Sequence, residues 1–72
     1  MALALQINGE PRTLESLSAS VTLDLVVVEL GLHAGRVAVE HNGEIIPRST
    51  WQGRPVHDHD KLEVVHFVGG GM

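Results

Sequence analysis

Gly69-Gly70-Gly71-Met72 ends the sequence directly after a strand-like run, and its chemical interest lies in the missing side chains. Glycines can thread a narrow pocket on another protein where bulkier residues would clash, which suits a tail that presents a carboxylate for activation. Met72 obstructs that use, because it holds the Gly71 carbonyl as an amide. Either Met72 is removed or the tail serves some other purpose. The glycines do not form a phosphate loop, since no Gly-Lys-Ser/Thr and no helix follows them.

Other residues invite chemical readings that their surroundings weaken. His57-Asp58-His59-Asp60 has the donor types of a metal site, but such a site needs several convergent ligands and ordered partners behind them, so a solvated polar turn is the simpler reading. His41 joins them only if the fold brings it there. His66 alternates with Val64 and Val68 and is expected at the margin of the core with an internal hydrogen bond; a catalytic role would require a nucleophile or an orienting carboxylate nearby. There is no cysteine, which excludes disulfides, thiolate metal sites and a cysteine nucleophile. Neither catalytic, cofactor-binding nor metal-binding residues are assigned.

The elements that must position the tail follow from periodicity. Leu3, Leu5 and Ile7 alternate with Ala4 and Gln6, the period of a half-buried strand, and Asn8-Gly9 turns the chain into a return strand over Glu10 to Leu14. Thr22 is placed to cap a helix starting at Leu23, with Asp24 at its positive end. Leu23, Val26, Val27 and Leu30 would form its buried stripe, and Gly31 its stop. The competing reading of Leu25 to Val28 as a strand rests on three successive valines. Val37 and Val39 begin a second hairpin that turns at Asn42-Gly43, and Pro47 keeps its return strand, Ile45-Ile46, short or at an edge. A loop or single helical turn should hold Trp51 against the sheet, with Arg48 and Arg54 as solvated charges. Lys61 to Val68 is the last strand. Two hairpins flanking one helix predict an α+β fold in which a mixed sheet packs on that helix.

Seventy-two residues allow one domain with a mostly aliphatic core, residues 1–68, followed by a flexible tail, 69–72. The net charge of −4, with five scattered Lys and Arg, argues against nucleic acid as a partner. No apolar run approaches the length of a membrane span, and the N-terminus lacks the pattern of a signal peptide, so a cytoplasmic location is expected.

The chain resembles the ThiS-type sulfur carriers of thiamine biosynthesis. The resemblance is carried in order by Ile7-Asn8-Gly9-Glu10-Pro11-Arg12, by Val37-Ala38-Val39-Glu40 with Asn42-Gly43-Glu44-Ile45-Ile46-Pro47-Arg48-Ser49 and Trp51, and by Asp58-His59-Asp60-Lys61-Leu62-Glu63-Val64-Val65 before the glycines. It implies a ubiquitin-like β-grasp fold, a mixed four- to five-stranded sheet on one main helix. It further implies that an E1-like enzyme adenylates the glycine carboxylate with ATP, that the product becomes a thiocarboxylate, and that thiazole synthase takes the sulfur. Gly71, after loss of Met72, and Gly70 would be the modified end. The chain itself would bind no cofactor and would be no enzyme. Two departures stand out: His59 occupies a turn position where the family usually has glycine, and Met72 follows the glycines. Some relatives need a peptidase to expose the carboxylate, and in those the sulfur can serve methionine, cysteine or secondary-metabolite synthesis instead of thiamine; such a trimmed-tail carrier for another pathway is an alternative here. A ubiquitin-like protein modifier and a plain β-grasp interaction domain are the alternatives from other classes.

Alternation along the last strand places Leu62, Val64, His66 and Val68 on one face and Glu63, Val65 and Phe67 on the other. Glu63 belongs in water, since an unpaired buried carboxylate is costly, and it takes Val65 and Phe67 outward with it. Val65 and Phe67, with Gly69, are therefore the expected partner-binding residues.

Overall fold

The computed structural model describes residues 2–18 and 20–67. The expectations for Val68, Gly69, Gly70, Gly71 and Met72 lie outside the described residues.

Strands β1 (Leu3–Ile7) and β2 (Glu10–Leu14) form the first hairpin, and a short β3 (Val21–Thr22) leads into helix α1 (Leu23–Glu29). A 3-10 turn over Ala34–Arg36 precedes the second hairpin, β4 (Val37–His41) and β5 (Glu44–Ile45). A longer 3-10 segment, Arg48–Gly53, is followed by β6 (Pro55–Val56) and the closing strand β7 (Lys61–His66). The five-stranded sheet has the order β2-β1-β7-β4-β5, with β1 and β7 parallel and the other neighbours antiparallel. This is the expected β-grasp arrangement: two hairpins, a helix across one face, and the last strand inserted at the centre.

Both Asn-Gly turns adopt the left-handed backbone that makes the dipeptide suitable, with φ of 52° at Asn8 and Asn42, 83° at Gly9 and 87° at Gly43. The helix reading prevails over the strand reading of Leu25 to Val28, because only a helix puts Leu23, Val26 and Val27 on one side, where all three are buried. Leu30 is half-buried and packs against the same core. Gly31, at φ 75°, ends the helix in a Schellman arrangement: its N–H donates to Val28 and that of Leu32 to Val27.

The cap differs from expectation. Thr22 stands at the helix start, but its hydroxyl donates to the Asp24 carboxylate and accepts no backbone N–H. The Leu23 N–H is answered by the Arg54 carbonyl at 2.8 Å. Antiparallel pairing of β3 with β6 brings that carbonyl to the helix, so tertiary structure meets the first orphan N–H, a different donor from those at the second and third positions that a capping hydroxyl would have answered. The core runs between α1 and the inner sheet face through Leu3, Leu5, Val26, Val39 and Leu62, each at most 3% exposed. Each such side chain contributes roughly 1.5–3 kcal/mol by leaving water. Trp51 closes one end beneath the 3-10 segment, with its indole N–H on the Ile46 carbonyl at 2.9 Å.

Candidate functional site: the exposed end of the last strand

Strand β7 is held along both edges. Its antiparallel register with β4 pairs Leu62 with His41, Val64 with Val39 and Val65 with Ala38, and the Phe67 N–H still donates to the Arg36 carbonyl at 2.9 Å. Parallel pairing to β1 covers only Gln6 with Lys61 and Ile7 with Leu62. Beyond it, the Asn8 side chain substitutes for a strand: Oδ1 accepts from the Val64 N–H at 2.7 Å and Nδ2 donates to the Val64 carbonyl at 3.2 Å. At the start of the strand, the Asn42 Oδ1 accepts from the Lys61 N–H at 2.8 Å. Each hairpin turn thus uses its asparagine side chain to fix the strand from which the tail leaves. Sequence reading took the two asparagines for their backbone freedom and missed these bonds.

The faces of β7 divide as alternation predicts. Leu62 and Val64 are buried, whereas Val65 and Phe67 are each 60% exposed and Glu63 is exposed beside them. Exposed Ile45 of β5 and half-buried Ala38 of β4 extend the apolar surface across the sheet. A groove of about 390 Å³ runs from Phe67 past Ala38 and Ile45 towards Pro47, Arg48 and Ala34. His66 is a correction: it shares the inward parity but is exposed, and its side chain makes no hydrogen bond among the described residues. It follows the last buried residue of the strand and lies beside Leu30 and Leu32 at the mouth of a small cleft, where the core no longer covers it.

The polar segment before β7 holds the fold together. Asp58 Oδ1 accepts from the Ala4 N–H at 2.8 Å, and the His59 N–H donates to the Ala4 carbonyl at 2.6 Å. His59 has φ 70°, the left-handed conformation that glycine fills most easily. Asp60 Oδ2 accepts from the His57 N–H at 2.8 Å and meets His41 Nε2 at 2.7 Å. On the other side of the buried His41 ring, Arg54 Nε donates to Nδ1 at 2.8 Å. A guanidinium only donates, so Nδ1 carries no proton and Nε2–H is the donor to Asp60. Arg54 also pairs with Glu44 at 3.1 Å. It is half-buried in this network rather than a solvated charge as expected; Arg48 is exposed. Burial raises the Asp60 pKa, but hydrogen bonds from the His57 N–H, His41 and Asn42 lower it by more, so the carboxyl sits below its ordinary range. His41 thus meets Asp60, while among the described residues no three His, Asp or Glu side chains converge as a metal site.

Taken together, the sheet order, the single helix and a braced last strand with an apolar outer face define a small ubiquitin-like β-grasp protein. The ThiS family model matches residues 5–71, and the chain belongs to that family. It is 40% identical to the sulfur carrier protein ThiS of Thermus thermophilus, over 90% of this chain and 95% of that one. It is 49% identical to a thiazole synthase of Paramagnetospirillum magneticum over 93% of its own length, but spans only 20% of that relative. The crystal structure of the thiamine biosynthesis protein ThiS from Geobacter metallireducens superposes with a TM-score of 0.82, at 33% identity, over 96% of this chain and all of that one.

Proposed function

We propose that this protein is a sulfur carrier for thiazole formation in thiamine synthesis, acting as substrate and partner of enzymes and not as a catalyst. The observation that carries the reading is the family match through residue 71, which takes in the glycines beyond the strand. It is supported by the relatives named ThiS, and by the occurrence of a similar segment within thiazole synthases. After a peptidase removes Met72, the Gly71 carboxylate attacks the α-phosphorus of ATP on an E1-like enzyme, giving an acyl adenylate and pyrophosphate. A sulfide-level sulfur nucleophile then displaces AMP to form the thiocarboxylate, and thiazole synthase accepts the sulfur. Such a carrier needs no thiol of its own, and this chain has none. ATP belongs to the activating partner, and the reaction sequence belongs in the cytoplasm. Val65 and Phe67 dock these partners, with Gly69 and Gly70 threading towards the reacting carboxylate.

ATP–pyrophosphate exchange by the activating enzyme tests the step. Protein ending at Gly71 should support exchange, and protein ending at Met72 should not; equal rates would overturn the requirement for trimming.

A further inference from the structure

Register places a like-charged pair at the border of the apolar face. Glu40 of β4 is directly opposite Glu63 of β7, and on its other side Glu40 faces Ile45 of β5. Two residues along the same ladder comes Ala38 opposite Val65. Both carboxylates share the outer face with Val65 and Ile45, because side chains two apart on a strand point the same way. Carboxylates directly opposite each other destabilise a sheet, and in a chain of net charge −4 a cation nearby would relieve them. Among the described residues no Lys or Arg stands within ion-pair distance of either glutamate: Arg54 pairs with Glu44, and the His41 contact with Asp60 is a hydrogen bond from a neutral ring. Lys61 shares the face two residues before Glu63 but pairs with neither glutamate, and Arg48 borders the groove on the far side of Phe67.

From this arrangement we infer that the outer face fits a protein partner that lays an arginine or lysine across Glu40 and Glu63 while apolar side chains cover Val65, Ile45 and Phe67. The occupant is the adenylating enzyme, and the inference rests on the docking role proposed above for Val65 and Phe67. Charge complementarity sets what that enzyme must present: the cation would relieve the repulsion that the free protein carries, and its register against the apolar residues would fix how the tail is aimed. An acidic or uncharged partner surface would leave the two carboxylates desolvated without compensation.

The test is titration calorimetry of Glu40→Gln/Glu63→Gln against the adenylating enzyme at low and moderate salt, with Glu15→Gln/Glu29→Gln, exposed residues outside β4, β5 and β7, as a control for net charge. The border variant should bind about tenfold more weakly at low salt and show a flatter salt dependence. Its melting temperature should be unchanged or higher, since a repulsion has been removed. Unchanged affinity and salt dependence, alongside weakened binding by Phe67→Ala, would overturn the acidic-pair inference and leave the docking surface standing. No effect from Phe67→Ala either would overturn the docking reading itself. A lowered melting temperature with the loss of affinity would assign the glutamates a structural role and also overturn the inference; Glu63→Gln alone, the more exposed change, repeats the measurement if the double variant folds poorly.

Discussion

Truncating Phe67 to alanine should separate binding from folding more sharply than any other change on β7. Phe67 is 60% exposed in the free protein, and a phenylalanine buries at least ~150 Å² when fully covered, so a partner has about 90 Å² left to remove from water. At ~25 cal/mol per Å² that area is worth about 2 kcal/mol, or a thirty-fold change in Kd. In the free fold only the covered remainder of the ring is lost, which scales the ~3–5 kcal/mol of a buried Phe truncation down to about 1–2 kcal/mol. Leu62→Ala supplies the contrast: that side chain is 1% exposed, so it should cost ~2–5 kcal/mol of stability. Calorimetric titration with the activating enzyme and with thiazole synthase, paired with urea unfolding of each variant, reads both quantities. Unaltered affinity for both partners in a folded Phe67→Ala protein would refute the docking assignment.

Two further outcomes follow from the tail and from the segment before β7. Gly70→Val should leave the melting temperature nearly unchanged, because a tail past the last strand contributes little packing, while strongly impairing adenylation in a narrow channel; a large loss of stability with activation intact would make the glycines structural. Asp60 is held below its ordinary pKa, so its contribution to stability is present above the unfolded value near 3.8 and is lost as pH falls through the lower folded value. Asp60→Asn should therefore cost about 1–3 kcal/mol at neutral pH, the worth of its charge-assisted hydrogen bonds, with the gap to the parent closing below pH ~4; a gap independent of pH in urea unfolding would show that its charge does not matter.

The large elements were legible because each carries its period in its own residues. Alternation in Leu3 to Ile7, Val37 to Val39 and Lys61 to Val68, together with the two Asn-Gly dipeptides, defines both hairpins and the last strand, of which the structure forms Lys61–His66. The 3.6 spacing of Leu23, Val26, Val27 and Leu30 then decides the helix against the valine-rich strand alternative. What escaped was short or distant. β3 and β6 have two residues each, too few for any period to show, and their pairing brings the Arg54 carbonyl to the Leu23 N–H at the helix start. Arg54, His41 and Asp60 come from three separate segments, and no local pattern announces that they meet. His66 obeys the parity of its strand, but parity cannot tell where the helix stops covering the sheet. The outward placement of Val65 and Phe67 was readable because Glu63 fixes the phase of the strand, and a single buried-or-solvated decision then places every second residue.

Intact mass of the protein recovered from cells making thiamine tests the central claim most directly. Sulfur carriage predicts a species lacking Met72 and ~16 Da heavier than the chain ending in a Gly71 carboxylate, the replacement of oxygen by sulfur through an activated acyl intermediate. Recovery of only the full chain with Met72, or of the glycine end joined to lysines of other proteins, would contradict it.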